Sequence, residues 1–209
     1  MKRNRLYSAT LFFCLVITCH TAMAQKGTGA QMKKLPDKLD KIGFVVTVAG
    51  DTLKCKFDFS MGRRNYFVYG MPKPEEMKGK AIRQYNVDGE NSFRYVDIDG
   101  IFTMSQYLKI IADGKINIYE YGGGGNCSNC IYWYAAKGDG PLKEVKNNVF
   151  AIQLKSRGAR IKDLLAMIED QPDVVNYFGD YEEYSYELIY KTVYYHNTGV
   201  KLMLTSQMK

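Results

Sequence analysis

The sequence predicts an α+β fold, in which an antiparallel β-meander, as a sheet or a partly open barrel, is followed by a C-terminal pair or trio of helices. Short runs with the apolar–polar alternation of strands recur between residues 42 and 155. Asp-Gly pairs at 88–89, 99–100 and 113–114 separate several of these runs, and such pairs are typical of hairpin turns. After residue 156 the apolar residues follow the i, i+3, i+4, i+7 spacing of an amphipathic helix.

The first 24 residues have the pattern of a secretory signal peptide. Three of the first five residues are basic, a short apolar run (LFFCLVIT) follows, and Ala22-Met23-Ala24 is a small-x-small cleavage site. The run is shorter than the roughly 20 residues that span a bilayer. A lipoprotein with Cys19 as the lipidated residue is the alternative, but Thr18 is bulkier than the usual Gly, Ala or Ser. We therefore expect an exported chain, periplasmic or outer-membrane-associated, cleaved after Ala24 and without a later transmembrane segment.

Residues 25–41 form a polar, lysine-containing leader that includes Gly27, Gly29 and Pro36, and we expect it to be flexible. A basic leader can contact acidic lipid or polysaccharide, and a solubilising disordered segment has the same composition. The whole chain carries a net charge of +7. Nucleic acid is not an expected partner, because an exported chain without a basic patch on a folded face lacks the usual features of a nucleic-acid binder.

The first predicted hairpin covers residues 42–59, with its turn at Gly50-Asp51. Glycine at the first turn position would supply the positive φ of a tight turn. Alternation in the second arm predicts two faces. The buried face would carry Leu53, Cys55, Phe57 and Phe59, and the other face Thr52, Lys54, Lys56 and Asp58.

The later strands are predicted from the same alternation and from the turn residues between them. Pro72 and Pro74 predict a loop over 70–79. The four-glycine run 122–125 is interpreted as a flexible connection, because the Lys-Ser/Thr pair of a phosphate-binding loop does not follow it. The predicted strands are 65–69, 81–87, 92–98, 101–112, 115–121, 131–136 and 149–154.

The helical segment is predicted over 156–198. Ile161, Leu164, Leu165 and Ile168 form the apolar stripe of a first helix, and Ser156 is a possible N-cap. Pro172 suits the first turn of a short second helix that extends to residue 178. Helical spacing resumes over 181–195, and 199–209 is expected to be a tail or an edge strand. The β domain therefore covers 42–155, and the helices pack on its sheet.

Four stretches together resemble a family of exported Bacteroidetes proteins of unassigned function. They are the hairpin GFVVTVAGDTLKCKF, the central hairpin YLKIIADGKINIYEY, the helix IKDLLAMIEDQP and the closing segment VYYHN. The chain departs from the family pattern at Cys55, where glycine is favoured, and in the insertion GGGGNCSNC. The resemblance implies a location in the cell envelope and supplies no catalytic residues.

Cys127 and Cys130 have C-x-x-C spacing, and several interpretations remain open. A local disulfide fits an oxidising compartment, and free thiols without a role are also possible. A thiol-exchange site would need the first cysteine at a helix N-terminus, but the following residues predict a strand. A zinc site could use Cys55, Cys127, Cys130 and His196 as its four ligands. No other cofactor is expected.

The chain contains 17 tyrosines, many of them near the C-terminus. An aromatic body with a polar tip suits an interface, although the same rings can pack helices onto a sheet. The candidates for an interaction surface are Trp133, Tyr181, Tyr184, Tyr190 and Tyr194.

The leading functional hypothesis is a non-enzymatic interaction or structural module that uses its sheet surface or its Tyr-rich helices. His196 is the sole histidine after signal cleavage, and no serine lies in a nucleophile-elbow pattern. The expected partner is an envelope protein or a glycan. One alternative is a protein that binds carbohydrate or another small ligand in an aromatic-lined groove. The other is a zinc or thiol-redox protein centred on Cys127 and Cys130.

Overall fold

The computed structural model describes residues 41–59, 64–71, 75–78, 80–98, 104–124, 127–149 and 155–204. The predicted signal peptide and nearly all of the predicted leader lie outside the described residues. So does most of the predicted strand 149–154. All described residues belong to a single unit that begins at Pro36.

In the described part of the chain, ten antiparallel strands form one open sheet, which confirms the predicted fold class. The sheet order is β10-β9-β8-β7-β6-β5-β1-β2-β3-β4. The chain therefore runs outward from β1 to β4, returns to the other side of β1, and continues as a meander to β10. The strands are β1 Lys41–Thr47, β2 Thr52–Asp58, β3 Asn65–Val68, β4 Glu75–Glu76, β5 Ile82–Val87, β6 Asn91–Ile98, β7 Met104–Ala112, β8 Ile116–Gly124, β9 Cys127–Lys137 and β10 Lys143–Asn147.

The first hairpin forms as predicted, but its turn is different. The Thr47 N–H donates to the Asp51 carbonyl at 2.9 Å, so that residues 48–50 form a three-residue loop. Gly50 has φ +94° at the last loop position, where the usual three-residue turn needs a left-handed residue. The prediction of a two-residue turn with Gly50 at its first position is therefore wrong. The predicted buried face is correct for Cys55 and Phe57, which are 0% and 2% exposed, but not for Phe59, which follows the end of β2 and is 39% exposed.

Two other predictions about the strands are wrong, and one strand was not predicted. Gly122 to Gly124 extend β8 instead of forming a connection, because Gly122 pairs with Ile131 and Gly124 with Cys127 of β9. Strand β10, Lys143–Asn147, was not predicted; of the predicted strand 149–154 only Val149 is described, and it lies outside any strand. The β10 sequence KEVKN lacks strand-like alternation, and its charged residues suit an edge strand, because charges protect exposed edges. The predicted loop 70–79 contains the two-residue strand β4.

Within residues 155–204 three helices follow the sheet: α1 Arg157–Ile168, α2 Pro172–Gly179 and α3 Tyr186–Thr198. The predicted cap of α1 is confirmed, because the Ser156 side chain accepts a hydrogen bond from the Ala159 N–H. Helix α3 begins later than the predicted residue 181, because the Ser185 side chain accepts from the Leu188 N–H and caps it there. It ends at Gly199, which has φ +73°.

The sheet has two faces, which the strand register defines. Directly paired residues in antiparallel strands project to the same side. The front face carries the row Val45, Tyr85, Phe93, Lys109, Glu120 and Trp133. The back face carries the alternate residues, among them Phe44, Asn86 and Ser92.

The helices cover one end of the front face. Helix α1 contacts β9 and β10, and α3 contacts β7 and β8. Their shared core includes Ile118, Trp133, Leu164, Ile168 and Ile189. At the other end of the sheet a separate cluster forms around Val45, Cys55, Phe57, Tyr66 and Tyr85.

The segment after α3 is neither an edge strand nor a frayed tail over its described residues. Residues 200–204 form no strand. The Tyr177 hydroxyl donates to the Leu202 carbonyl at 2.7 Å, and Leu204 is only 5% exposed in the helical core. This segment therefore packs beside α2. No helix in the described part of the chain combines the length and apolar character that crossing a membrane requires.

Candidate binding surface

The back face of β1, β2, β3 and β5 presents side chains to solvent in two rows. In the first row Phe44 pairs with Lys54 on one side and Asn86 on the other. The row continues toward β3, where the Tyr69 N–H lies 3.5 Å from the Lys54 carbonyl. Lys54 is exposed, Phe44 is half-buried, and Tyr69 is 47% exposed.

The second row lies two residues away along the strands, which is about 7 Å. Lys56 pairs with Ile42 in β1 and with Phe67 in β3. The Asp88 N–H donates to the Ile42 carbonyl at 2.8 Å and extends this row to the β5–β6 turn. Ile42 is 47% exposed. Each lysine therefore lies beside an apolar side chain of β1.

An open groove of about 690 Å³ follows these rows. Its floor is the β1 segment from Ile42 to Phe44. One wall consists of Thr52 and Lys54, and the opposite wall of Asn86, Asp88 and Gly89. We call this feature the back-face groove.

The wall formed by the β5–β6 turn is held by hydrogen bonds within the turn. The Asn86 amide donates to the Ser92 hydroxyl at 2.9 Å, and its oxygen accepts from the Gly89 N–H at 3.0 Å. Asp88 and Gly89 both have positive φ, +57° and +76°. Because the Asn86 side chain fixes the backbone of this turn, Asp88 is placed at the groove edge, where its side chain is exposed.

The two lysines have no anionic partner among the described residues. None of the ion pairs found there involves Lys54 or Lys56. Arg94, farther along the back face, is different, because its guanidinium contacts Gln84, Asp113 and the Tyr119 hydroxyl. Lys54 lines the groove, and Lys56 lies beside it as the cross-strand neighbour of Ile42. The groove and its edge thus combine an apolar floor, two ammonium groups without an ion pair among the described residues and one carboxylate, a combination suited to orienting a polar ligand.

His196 lies in a different part of the molecule. Its Nε2 is 2.9 Å from Asp170 Oδ1, and the same oxygen accepts from Lys137 Nζ at 2.7 Å. The hydrogen bond from Lys137, which has the larger effect, and the hydrogen bond with His196 lower the pKa of Asp170 to about 2. The His196 side chain is 0% exposed. This network therefore links α3, the end of α1 and β9, and its imidazole is closed to solutes.

The next residue, Asn197, docks α3 on β8. Its amide donates to the Ile116 carbonyl at 2.7 Å, and its oxygen accepts from the Ile116 N–H at 2.9 Å. A Cβ on Gly114 would lie 2.7 Å from the Asn197 side chain. The segment VYYHN therefore has a structural role in the helical layer.

The cysteines do not assemble as the zinc hypothesis requires. Cys55 is 0% exposed on β2, and burial raises the pKa of its thiol to about 12. Cys130 is buried on β9, six strands away in the sheet order. His196 lies on α3, which contacts β7 and β8. No group of three potential metal ligands occurs among the described residues, so that shared coordination by Cys55, Cys130 and His196 is contradicted.

The predicted disulfide between Cys127 and Cys130 remains a prediction, since the Cys127 side chain lies outside the described residues. The backbone register is compatible with it. Gly122 pairs with Ile131 and Gly124 with Cys127, so that β9 has an irregularity opposite this part of β8. Such a bulge shortens the path along β9 between the two cysteines.

The aromatic candidates divide into buried and accessible groups. Trp133 is 8% exposed and donates from Nε1 to Glu120 at 2.9 Å. Tyr184 is 5% exposed and donates to the Val145 carbonyl at 2.6 Å. These two side chains therefore belong to the core and do not form an interaction surface. Tyr181 is half-buried against Tyr177.

Tyr190 and Tyr194 remain partly accessible on α3. Both are half-buried, and their rings lie 6.2 Å apart. They are the most accessible part of the predicted Tyr-rich surface on α3. This part of α3 is therefore the alternative to the back-face groove as a partner-binding surface.

Sequence reasoning found Lys54 and Lys56 on the solvent side of β2 but missed the groove. The alternation in β2 was a sufficient signal for those lysines. The opposite wall is supplied by Asn86 and Asp88, and the sequence does not reveal that β5 pairs with β1.

Comparison with known proteins supplies no relative. No protein-family model matches the chain, and no curated protein or solved structure matches it. The resemblance to an exported Bacteroidetes family therefore stays a prediction.

Proposed function

We propose that the protein is an exported, non-enzymatic module of the cell envelope that binds another envelope component through the back-face groove. The single observation that carries this proposal is the open groove of about 690 Å³ across β2, β1 and β5. The helices lie at the other end of the sheet, on β7 to β10. Ile42, at the groove floor, keeps 47% of its surface exposed.

The exported location is supported by the sequence. The basic start, the short apolar run and the Ala22-Met23-Ala24 segment have the order of a signal peptide. Cleavage after Ala24 would release the described domain into the periplasm or to the outer membrane. The partner is then a protein or a glycan of the envelope.

A binding role is favoured over catalysis by the state of His196. A general base must come within hydrogen-bond reach of its substrate. The His196 side chain is 0% exposed, and its Nε2 is already hydrogen-bonded to Asp170. The groove residues, by contrast, are arranged across three strands and the β5–β6 turn and contain no histidine or cysteine.

Site-specific photo-crosslinking in the envelope fraction tests the proposal. The photoreactive residue benzoylphenylalanine replaces Ile42 in the groove, Tyr190 on α3, or Ala166 on the exposed side of α1. Ile42 and Ala166 are both exposed, and Tyr190 is half-buried. Ala166 is the matched control for nonspecific labelling.

The expected result is a discrete crosslinked product from position 42 that positions 190 and 166 do not give. A product from position 190 alone would move the interaction to the helices and overturn the assignment to the groove. Equal labelling from all three positions, or none from position 42, would also contradict the proposal.

A further inference from the structure

We infer that the back-face groove binds a carboxylate-bearing polysaccharide, whose charged groups contact Lys54 and Lys56 while a sugar ring lies on Phe44. This inference rests on the proposed function, because it identifies the ligand class of the same groove. It follows from the charges, the aromatic floor and the dimensions of the site.

The charges indicate an anionic ligand. Lys54 and Lys56 are cross-strand neighbours of Phe44 and Ile42, not of carboxylates. Within the described part of the chain neither lysine enters an ion pair. The Cα atoms of the two lysines lie about 7 Å apart on one strand, so that their ammonium groups can contact successive anionic groups, and each can donate charge-assisted hydrogen bonds to a carboxylate.

The floor indicates a sugar. The face of an aromatic ring carries partial negative charge, which attracts the slightly positive C–H groups on one side of a sugar ring. Phe44 lies on the floor between Lys54 and Asn86. The Asp88 carboxylate at the opposite wall can accept hydrogen bonds from hydroxyl groups. One ring can therefore contact an apolar surface, a cation and an acceptor at the same time.

The dimensions indicate a chain. Each row has four neighbouring positions, three in strands and one in an adjacent turn, and at about 4.8 Å between neighbours it is about 14 Å long. This length is greater than a single sugar ring. A chain that crosses the strands can thus place several rings along one row.

An anionic membrane surface is the competing ligand for lysines beside apolar residues. The geometry favours the polysaccharide. Phe44 lies half-buried on the groove floor between the walls at Lys54 and Asp88, where a single glycan chain fits and a flat layer of lipid headgroups does not reach. Ile42 and Tyr69, each 47% exposed, are the side chains that a membrane would contact, and vesicle binding is therefore an outcome of the test.

Isothermal titration calorimetry of the mature chain with an oligosaccharide of galacturonic acid tests the inference. Its methyl ester serves as the matched neutral ligand, since it keeps the rings and removes the charge. Lys54→Ala and Lys56→Ala are the test variants, with Phe44→Leu for the ring contact. Lys162→Ala, an exposed lysine of α1, has the same charge change away from the groove.

We expect the acid form to bind, the ester to bind at least about tenfold more weakly, and each groove lysine variant to lose about tenfold in affinity. Lys162→Ala should change the affinity less than twofold. Circular dichroism confirms folding of each variant. If Lys54→Ala or Lys56→Ala fails to fold, Lys54→Gln or Lys56→Gln replaces it at the same position. Added salt should weaken binding.

Equal affinity for the acid and the ester would overturn the inference, as would an equal loss in Lys162→Ala. Binding to phosphatidylglycerol vesicles without binding to the oligosaccharide would assign the groove to a membrane surface instead. If position 42 crosslinks to an envelope component and the oligosaccharide does not bind, the ligand class is wrong and the proposed function stands.

Discussion

Removing the Asn197 side chain should destabilise the protein far more than removing a similar asparagine at the surface. The pairing of β7 with β8 reaches Ala112 opposite Ile118. Beyond it, the Asn197 amide forms two hydrogen bonds with the Ile116 backbone, at 2.7 and 2.9 Å. Ile116 is 0% exposed. In Asn197→Ala both backbone groups lose their partner.

The expected cost follows from the two unpaired groups. A buried donor or acceptor left without a partner costs about 1–3 kcal/mol, so that we expect Asn197→Ala to lower the free energy of unfolding by about 3 kcal/mol. Asn148 makes two hydrogen bonds of the same kind. Its side-chain oxygen accepts from the Ile131 N–H at 2.7 Å, and its amide donates to the Asn129 carbonyl at 3.0 Å, but Asn148 is exposed. Water can replace its amide, so that Asn148→Ala should cost less than about 1 kcal/mol.

Urea unfolding of the mature chain measures both variants against the parent. The midpoint should fall for Asn197→Ala with an unchanged m-value, which shows that stability and not the unfolded state has changed. If Asn197→Ala costs no more than Asn148→Ala, the docking of α3 by this amide is wrong.

Three further predictions concern Gly114, Asp170 and Cys55. Gly114→Ala should be destabilising in the parent and clearly less so with Asn197→Ala, because its Cβ would lie 2.7 Å from the Asn197 side chain; additive costs in a double-mutant cycle would contradict this clash. Lys137 and His196 lower the Asp170 pKa from 3.8 to about 2, so their stabilisation is complete above pH 3.8 and declines as the pH falls through about 2. The stability difference between the parent and Asp170→Asn should therefore shrink over that interval in urea titrations, and a constant difference would refute it. Cys55 should resist a thiol reagent until urea unfolds the chain, because it is 0% exposed and burial raises the pKa of its thiol to about 12. If a disulfide joins Cys127 and Cys130, Cys55 should be the one thiol of the unfolded mature chain that reacts in the absence of reductant, and labelling of Cys55 in the folded protein would contradict its burial.

Local signals predicted the parts of the fold that local interactions determine. Alternation placed Cys55 and Phe57 on the buried face, and Ser156 was identified as the possible cap of the first helix. Gly199 ends α3 because glycine adopts the left-handed conformation there without strain. Each of these signals lies within a few residues of the feature that it predicts.

The features that sequence reasoning missed depend on contacts between distant residues. β10 has no alternating pattern, and only its pairing with β9 makes it a strand. The return of β5 to β1 brings Asn86 beside Phe44 and creates the far wall of the groove. Trp133 and Tyr184 were candidates for an interface, but α3 and β10 enclose them. An aromatic side chain with a polar tip suits both a core and an interface, so that the abundance of tyrosine does not distinguish these two outcomes.

The central claim is that the back-face groove, and not the tyrosine-bearing side of α3, is the ligand-binding surface. Amide NMR spectra of the mature chain, titrated with the galacturonic acid oligosaccharide, test it most directly. We predict shift changes concentrated in β1, β2 and the β5–β6 turn, around Phe44, Lys54 and Asp88. Changes centred on Tyr190 and Tyr194, or spread evenly over the chain, would contradict the claim.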